Sequence, residues 1–338
     1  MSRDVTGSRQ RAESAPGSLD PVTEHPPDQP TRGRPDTRGD GDGWIECGLG
    51  HRHWGLFGAA GLLLARPGAH GTEVLLQHRA TWSHHGGTWG LLGGARHRAE
   101  GAVEAALREA GEEGGLDPSD VRVHGRFDDP HGGWSYETVL ATAAAGTTAR
   151  PTGGESIDVG WFAVDGPAGV DGLDQHPGFG RTWPQVRQGL QPLTLVVDAA
   201  NVMGSRPDGW WRDRPGAARR LVAEVAPLAA VGLADADLPD ELPRAGLAHW
   251  WPRVVVVVEG AARRVAEDPV PGVELVAAPG SGDDAILAAA ASTSGPCLVV
   301  TADRELRGRI AAVGAVAAGP GWLLELTGRS PLDEQRDD

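Results

Sequence analysis

The chain has 338 residues, about twice the length of a typical domain, and its formal net charge at pH 7 is −15. This charge disfavours unguided binding of nucleic acid by the whole surface, although a local arginine patch could still hold RNA. The longest clean apolar run, residues 254–258, is too short to span a membrane, and the amino terminus has no apolar core of the signal-peptide type. Two cysteines, Cys47 and Cys297, are too few for a disulfide framework, so we expect a protein of the reducing cytoplasm.

Composition divides the chain into four segments. Residues 1–43 are rich in Pro, Gly, Asp, Arg, Ser and Thr, and they hold almost no large apolar side chain. Such a segment cannot bury enough surface to offset the loss of chain entropy. We therefore predict that residues 1–43 and 329–338 are disordered tails, and that residues 44–190 and 191–328 form two domains.

Apolar segments of the first predicted domain alternate with turn residues in a way that is typical of strands. We predict strands at residues 62–64 and 74–76 around a turn at 66–72, and further strands at 121–127, 135–141 and 159–164. One helix, residues 100–113, separates the second strand from the third.

The predicted helix has good helix formers, no proline and two kinds of face. Val103, Leu107 and Ala110 fall at i, i+4 and i+7, which predicts an apolar stripe. The opposite face is predicted to carry Glu109, Glu112 and Glu113, which fall at i, i+3 and i+4.

Like charges at this spacing repel each other unless a cation neutralises them. Hard divalent cations such as Mg²⁺ prefer oxygen ligands, so the three carboxylates predict a metal site. Arg108 lies four residues before Glu112, close enough to orient a carboxylate. The alternative is an ordinary acidic helix face exposed to solvent.

Seven residues between positions 94 and 116 stand in a fixed register: Gly94, Glu100, Arg108, Glu109, Glu112, Glu113 and Gly115. This register resembles the signature of the Nudix hydrolases at every position. The resemblance implies an α/β/α sandwich with a mixed sheet. It also implies hydrolysis of a diphosphate linkage in a nucleoside diphosphate derivative (nucleotide, nucleotide sugar or RNA end), with Mg²⁺ or Mn²⁺ as cofactor.

The same resemblance implies roles for the acidic and basic residues of the motif. Glu109, Glu112 and Glu113 would hold the metal, which would neutralise the diphosphate and acidify the attacking water. Arg108 and Glu100 would fix the carboxylates from outside the ligand set. The candidate catalytic residues are Glu112, Glu113, Arg108 and Glu155.

Two glycines and one further carboxylate complete the predicted site. Gly94 lets the chain turn sharply into the helix, and Gly115 ends it through a left-handed cap. Glu155 precedes the strand at 159–164, where it would be an auxiliary metal ligand or the general base. A loop carboxylate in water is the alternative for Glu155.

Substrate choice is not readable from the motif. Pro130 stands near a position where ADP-ribose-hydrolysing members often carry proline, whereas Tyr136 stands near one where diadenosine-polyphosphate members often carry tyrosine. Six aromatic or imidazole side chains are candidates to contact a base, with half-buried packing as the alternative: Trp82, His84, His85, Trp89, His131 and Trp134.

The second predicted domain contains three near-continuous apolar runs, 193–197, 254–258 and 297–302. They predict parallel strands buried on both faces, and each leads to an acidic residue: Asp198, Glu259 or Asp303. Because ligands bind beyond the carboxyl ends of such strands, these carboxylates are expected to converge. Asp283 and Asp284 open an apolar helix and would join them, unless one of them only caps that helix.

Three short motifs of this half are similar to the acidic motifs of PIN-like nuclease domains of the NYN group: Val-Val-Asp198-Ala-Ala-Asn201-Val, Gly-Asp283-Asp284-Ala-Ile and Val-Thr301-Ala-Asp303-Arg-Glu-Leu306. The resemblance implies a three-layer α/β domain with a mostly parallel sheet. Asp198, Asp283 or Asp284, and Asp303 would hold Mg²⁺ or Mn²⁺, with Asn201 orienting the first motif, and single-stranded RNA would be cut or bound.

Five arginines cluster in sequence around Trp210 and Trp211: Arg206, Arg212, Arg214, Arg219 and Arg220. Arginine beside aromatic side chains suits phosphate contact and base stacking, although the tryptophans would equally cover a hydrophobic edge. Three function classes stay open: a Nudix hydrolase with an accessory domain, an enzyme with two activities, and a non-catalytic nucleotide or RNA sensor.

Overall fold

The computed structural model describes residues 39–328, which belong to one compact unit. The segments predicted to be disordered, 1–43 and 329–338, lie outside the described residues except for positions 39–43. No helix within the described range is long and apolar enough to cross a bilayer.

Up to residue 193 the described chain forms strands β1 (Trp44–Glu46), β2 (Arg52–Trp54), β3 (Ala59–Gly68), β4 (Gly71–Arg79), β5 (Trp89–Gly90), β6 (Leu92–Ala95), β7 (Val121–Pro130), β8 (Ser135–Ala143) and β9 (Ser156–Ala163). Its helices are α1 (Ala102–Gly114) and α2 (Pro177–Val186). Strand β3 pairs parallel with β8 and antiparallel with β4 and β6, so the predicted mixed sheet is confirmed. The turn predicted at 66–72 is wrong in extent, because Gly71 has φ 128° and closes a much tighter turn between β3 and β4.

Strand β3 places one helix on each face of this sheet. Successive side chains of a strand point to opposite faces, so Leu62 packs in the cluster that contains Ala105 of α1. Leu63 points the other way, into the cluster that contains Trp183 of α2. Both leucines are fully buried. The central strand is therefore covered on both sides, which fixes α1 rigidly against the sheet.

Helix α1 begins two residues later than predicted, and only part of its predicted apolar stripe is buried. Glu100 lies before the first turn, because its carboxylate folds back to accept a hydrogen bond from the His97 N–H at 2.8 Å. Of the predicted stripe, Ala110 is buried, whereas Val103 and Leu107 are only half-buried. Apart from Glu113, the buried positions of the helix are all small: Ala102, Ala105, Ala106, Ala110 and Gly114. Alanines let the helix axis approach the sheet closely, which the hydrophobicity pattern alone did not reveal.

From residue 194 onward the strands are β10 (Thr194–Asp198), β11 (Leu233–Ala234), β12 (His249–Trp250), β13 (Arg253–Val258), β14 (Val273–Ala277), β15 (Cys297–Val300) and β16 (Val316–Ala318). The helices are α3 (Ala199–Gly204), α4 (Arg214–Val225), α5 (Pro227–Val231), α6 (Gly282–Ala291), α7 (Arg304–Ala311) and α8 (Pro320–Gly328). The 3-10 segments of the described chain are Pro118–Asp120, Val170–Gly172, Arg187–Gly189, Trp210–Arg212, Asp235–Asp237 and Gly260–Glu267. Five strands form a sheet in the order β14-β13-β10-β15-β16, with every neighbouring pair parallel. The prediction of buried parallel strands is confirmed.

The two halves of the described chain are joined by a shared sheet. Strand β12 pairs antiparallel with β7, with Trp250 opposite Gly125, and β11 adds one more strand beyond it. Trp250 is fully buried in a cluster that also holds Leu140 of the mixed sheet and Leu195 of the parallel sheet. The boundary near residue 190 stays a prediction, but the chain on its two sides packs as a continuous core.

Candidate active site

Glu113 lies at the carboxyl end of α1, where the helix meets the sheet. The Gln77 side-chain amide of β4 donates to both of its oxygens, at 3.0 and 3.1 Å, and the Gly93 N–H donates to Oε2 at 2.8 Å. Ser156 donates to the Gln77 carbonyl oxygen at 2.6 Å, which fixes the orientation of that amide. Burial raises the pKa of Glu113 to about 7, although the hydrogen bonds from Gln77 and Gly93 act to lower it. The carboxylate is thus held in place by neutral donors.

Glu109 packs against the glycine that precedes the helix. A side-chain carbon at Gly94 would stand only 2.5 Å from Glu109 Oε1, so residue 94 must lack one for the carboxylate to occupy its place. Burial raises the pKa of Glu109, and the hydrogen bond from Arg108 opposes this shift. The predicted turn at Gly94 is wrong, because Gly94 lies within strand β6 opposite Ala60 and α1 begins only at Ala102. The glycine of the motif instead makes room for a carboxylate.

Arg108 joins the acidic residues of the motif. Its guanidinium donates to the two oxygens of Glu100 at 2.8 and 3.0 Å, to Glu109 at 2.7 Å and to Glu112 at 3.1 Å. Burial alone would raise the pKa of Glu100, but the hydrogen bonds from Arg108 and from the His97 N–H hold it below its usual range. Glu100 therefore lies outside the carboxylate set and fixes the arginine.

The three predicted metal ligands differ in exposure. Glu113 is 6% exposed, whereas the Glu112 side chain is 61% exposed and points to solvent. The prediction that all three share the face opposite the apolar stripe is therefore wrong for Glu113, which lies at the helix–sheet boundary. Within residues 39–328, the motif does not bring three carboxylate donors within 4.8 Å of one another. One reason is that Arg108 lies between Glu109 and Glu112.

Glu155 lies in the exposed loop before β9, near the same site. Its charge contributes to the raised pKa of Glu109, after burial and the charge of Glu112. Its backbone oxygen accepts a hydrogen bond from the Ala80 N–H at 2.8 Å, which ties the loop to the end of β4. Proximity agrees with either interpretation of Glu155, so its role stays a prediction.

Sequence reasoning missed two residues of this site, Gln77 and Arg79. Gln77 is fully buried, although it stands in the middle of an apolar strand, and a polar residue in such a run is itself a signal. Arg79 follows on the same strand; burial raises the pKa of both Glu113 and Tyr136, and the charge of Arg79 opposes this rise. It supplies a positive charge beside the carboxylates, which suits a phosphate group.

The candidate base-contacting side chains are placed unequally. Trp89 stacks on His78, with ring centroids 4.8 Å apart and planes at 12°, so packing accounts for it. Tyr136 stands over Gly61, where a side-chain carbon would be 2.1 Å from its hydroxyl. His131 and Trp134 lie beside the β1–β2 hairpin rather than beside the carboxylates, since both pack on His53.

A second acidic cluster lies at the carboxyl end of β10. Asp198 ends this strand with 7% exposure, and it accepts hydrogen bonds from the Asn201 N–H and the Thr301 hydroxyl, both at 3.0 Å. Burial raises its pKa, and the charges of Asp283 and Glu259 add to the shift. The parallel topology thus brings Asp198, Asp283 and Glu259 together, as the strand order predicts.

The structure separates the two aspartates that open α6. Asp284 is 83% exposed and accepts a hydrogen bond from Arg309 at 2.5 Å, whereas Asp283 has its pKa raised by burial and then by the charge of Asp303. Asp283 is therefore the one that faces the cluster. Neither caps the helix, because Glu259 accepts the hydrogen bond from the Gly282 N–H at 2.6 Å. Asp303, in contrast, caps its own helix, α7, in addition to its place beside Asp283.

Asn201 links the ends of two neighbouring strands. Its side-chain oxygen accepts a hydrogen bond from the Ala302 N–H at 2.9 Å, across the gap between β10 and β15. The amide thereby holds the loop that carries Asp303 against the loop that carries Asp198. This placement agrees with the orienting role expected for Asn201, which stays a prediction.

The arginines around Trp210 and Trp211 are largely engaged by carboxylates. Arg206 pairs with Glu224 at 2.5 Å, and Arg219 with Asp268 at 3.5 Å. Trp210 packs against the main core, whereas Trp211 is 57% exposed. Packing thus explains one tryptophan, and RNA contact by this surface stays a prediction.

The NUDIX domain family matches residues 56–176. Over 169 residues the chain is 43% identical to a "Putative 8-oxo-dGTP diphosphatase 3" of Mycobacterium tuberculosis, covering 47% of this chain and 74% of that protein. Over 130 residues it is 45% identical to a "Nucleoside triphosphate pyrophosphatase/Nudix hydrolase fusion protein" of Bifidobacterium longum, covering 37% of this chain and only 27% of that protein. The solved structure of the Nudix hydrolase RenU from M. smegmatis is 42% identical, with 44% of this chain and 94% of that chain covered and a TM-score of 0.41. The chain belongs to the Nudix family.

Proposed function

We propose that the chain hydrolyses a diphosphate linkage in a nucleoside diphosphate or triphosphate derivative, with Mg²⁺ or Mn²⁺ bound at α1. The observation that carries the proposal is Glu113, a buried carboxylate held by neutral donors and close enough to Glu109 that the second charge raises its pKa. A buried negative charge without a paired cation is costly, and a bound divalent cation would remove that cost.

The donor set fits a hard cation. Glu109, Glu112 and Glu113 offer carboxylate oxygens alone, which Mg²⁺ and Mn²⁺ accept and softer metals do not prefer. When bound, the metal supplies charge neutralisation at the diphosphate oxygens and acidifies a water molecule. Two hydrogen bonds to Glu100 hold Arg108 in place. Its hydrogen bonds to Glu109 and Glu112 can therefore break when those carboxylates turn toward the cation, while the guanidinium stays at the site.

The protein groups around the carboxylates have separate tasks in this proposal. Gln77 and the Gly93 N–H keep Glu113 in one orientation. Arg79 contacts a phosphate oxygen of the substrate from the end of β4. Glu155, in the exposed loop before β9, takes the proton of the attacking water.

We propose oxidised purine nucleoside triphosphates as one substrate class, because a protein with 43% identity to this chain is described as a putative 8-oxo-dGTP diphosphatase. The test is a panel of 8-oxo-dGTP, dGTP, ADP-ribose and diadenosine tetraphosphate, incubated with the full chain and Mg²⁺ and scored for the released phosphate species. Hydrolysis that stops on adding a chelator supports the proposal. Binding of a panel compound without any turnover would favour the non-catalytic sensor.

We propose a second, nucleolytic function for the acidic cluster at β10. The supporting observation is that Asp198, Asp283 and Asp303 lie close together: besides burial, the charge of Asp283 raises the pKa of Asp198, and the charge of Asp303 raises the pKa of Asp283. A divalent cation there would take carboxylate ligands, and Asn201 would keep the first and third motifs in register. We also propose, as part of this function, that the parallel sheet is the sheet of a PIN-like domain.

The full chain is needed for the nuclease test, because β12 pairs with β7 and a fragment starting near residue 190 would lose that partner. We expect Mn²⁺-dependent cleavage of single-stranded RNA by the wild type and by Glu112→Gln, and none by Asp303→Asn. Equal cleavage by wild type and Asp303→Asn would assign it to a contaminant. No cleavage by any of the three would leave the domain an accessory to the Nudix site.

A further inference from the structure

The hairpin formed by β1 and β2 carries a cysteine and two histidines at one end. Cys47, His51 and His53 each present a donor atom, and these three atoms lie within 4.8 Å of one another. The two strands have no partners in the sheets of the described chain other than each other, although two-stranded ribbons are marginally stable alone. Something beyond strand pairing is therefore expected to hold this hairpin.

The spacing of the three donor atoms is near that of a tetrahedral metal site. Zinc bonds to sulfur at ~2.3 Å and to nitrogen at ~2.0 Å, so its ligand atoms stand about 3.3–3.8 Å apart. The donor atoms of Cys47, His51 and His53 would have to move somewhat closer together to reach that distance. The thiol of Cys47 is already buried, with 6% of the residue exposed, which shields a sulfur–metal bond from solvent.

His131 stands beside this group and has an unused nitrogen. Its ring centroid lies 4.8 Å from that of His53, in the turn between β7 and β8. His131 Nδ1 and His53 Nε2 are both buried, and neither has a hydrogen-bond partner within residues 39–328. A buried nitrogen without a partner costs ~1–3 kcal/mol, so two of them side by side call for a ligand.

The other nitrogen of His131 faces a carboxylate. Asp129 Oδ2 lies 3.4 Å from His131 Nε2 and also accepts a hydrogen bond from Arg181, whose guanidinium lies 3.3 Å from the same ring nitrogen. Metal-binding histidines usually present their second nitrogen to a carboxylate, which fixes the ring and raises its basicity. The arrangement therefore leaves Nδ1 of His131 as the metal-binding atom.

The loops that carry the four side chains are tied together before any metal arrives. The Gly48 N–H donates to the Gly132 carbonyl at 2.7 Å, which joins the hairpin end to the β7–β8 turn. His53 stacks on Trp134 with ring centroids 4.0 Å apart and planes at 11°, and Trp134 donates to the Gly55 carbonyl at 2.8 Å. The ligand side chains are thus positioned by their surroundings.

We propose that Cys47, His51, His53 and His131 bind a structural zinc ion. The ion would join the β1–β2 hairpin to the β7–β8 turn. Thiolate and imidazole ligands select zinc over the Mg²⁺ or Mn²⁺ expected at the glutamates of α1. Binding replaces the thiol S–H bond of Cys47 with a sulfur–zinc bond and releases the proton to solvent, with no change of oxidation state.

A second imidazole group suits zinc less well. His84, His85 and His176 also bring donor atoms within 4.8 Å of one another. However, His176 Nδ1 accepts a hydrogen bond from the Gly178 N–H at 3.2 Å, which leaves the proton of the neutral ring on Nε2. Metal binding there would require a change of tautomer and the loss of a helix cap. In the hairpin group, by contrast, His131 Nδ1 and His53 Nε2 accept no hydrogen bond within residues 39–328 that a metal would have to displace.

The first test is the zinc content of the full chain, purified under reducing conditions and measured by mass spectrometry of the metal. We expect about one zinc ion per chain in the wild type, and the loss of most of it in Cys47→Ser and in His53→Gln. Three controls are expected to keep the zinc: Cys297→Ser, which changes the other buried cysteine, Glu112→Gln and His85→Gln. Full zinc in Cys47→Ser, or its loss in His85→Gln, would overturn the proposal.

The second test does not depend on whether a ligand variant folds. Co²⁺ added to the metal-free wild type is expected to produce a thiolate-to-cobalt charge-transfer band, which Zn²⁺ abolishes and excess Mg²⁺ leaves intact. Cys297→Ser should give the same band. A wild-type chain that takes up Co²⁺ without this band has no sulfur ligand, and that result would overturn the proposal.

Discussion

The Gln77 side-chain amide donates to both carboxylate oxygens of Glu113, at 3.0 and 3.1 Å, across 36 positions of sequence. This pair fixes the innermost carboxylate of the proposed metal site to the central part of the sheet. Ser156 in turn holds the amide through its carbonyl oxygen. The position of the proposed metal therefore depends on β4 and β9 as well as on α1.

We expect Gln77→Met to weaken metal binding without unfolding the chain. Methionine fills a similar volume but donates no hydrogen bond, so Glu113 keeps only the donor at Gly93. Removing a group that orients a metal ligand typically costs ~10–100-fold in affinity. The Mg²⁺ concentration that gives half-maximal hydrolysis should rise by about that factor. The exposed Gln185→Met is the matched control and should leave the Mg²⁺ dependence unchanged.

The raised pKa of Glu113 predicts how pH acts on stability in the metal-free chain. Burial raises this pKa from 4.5 to about 7, so between these values the folded chain holds a proton that the unfolded chain has lost. The contribution of Glu113 to the free energy of unfolding therefore falls as pH rises through this window, by at most ~1.4 kcal/mol per pH unit.

The measurement is urea unfolding of wild type and Glu113→Gln with a chelator, from pH 4.5 to pH 8. Histidines with lowered pKa values act in the opposite direction in both proteins, so the difference between the two curves isolates Glu113. Saturating Mg²⁺ should remove the part of the pH dependence that Glu113 contributes to the wild type, because the bound cation requires the ionised carboxylate. A difference that does not change with pH would contradict the assignment.

Gly94→Ala is expected to abolish most hydrolysis while the fold is retained. The added carbon would stand 2.5 Å from Glu109 Oε1 and push that carboxylate away from Glu113. Gly111→Ala is the control on the same helix, because its added carbon meets nothing closer than 3.4 Å. Alanine in a helix interior is favoured by ~1 kcal/mol over glycine, so this control should melt at a higher temperature with unchanged kcat.

Trp250→Ala is expected to destabilise both halves of the chain together. This side chain is fully buried where β12 joins β7, and its loss should lower the free energy of unfolding by ~3–5 kcal/mol. Calorimetry should show one transition that moves as a whole, in contrast to Trp211→Ala, whose side chain is exposed. Two separable transitions in the wild type would contradict a continuous core.

Local patterns predicted the parts of this structure that depend on neighbours in sequence. The spacing of Glu109, Glu112 and Glu113 follows from helical periodicity, and the runs ending at Asp198 and Asp303 follow from burial on both faces of a parallel sheet. Glu113 departs from that pattern because the helix turns its last carboxylate into the sheet boundary, where the partner is Gln77.

The remaining features depend on contacts between distant segments. Strand β12 has two residues, too few to show alternation, and its partner β7 lies more than 100 positions earlier. His131 meets His53 only because the β7–β8 turn folds beside the hairpin. Neither contact produces a periodic pattern in the sequence, so each can be seen only in the folded chain.

The central claim is that the glutamates of α1 hold the cation that hydrolysis requires. Its most direct test is kcat for the preferred compound of the panel in saturating Mg²⁺, for wild type, Glu112→Gln and Glu104→Gln. Both glutamates are exposed on α1, but Glu104 contacts the Gly101 N–H rather than Arg108. We expect Glu112→Gln to lose at least ~100-fold in kcat while Glu104→Gln stays near wild type. A Glu112→Gln protein that turns over at the wild-type rate would contradict it.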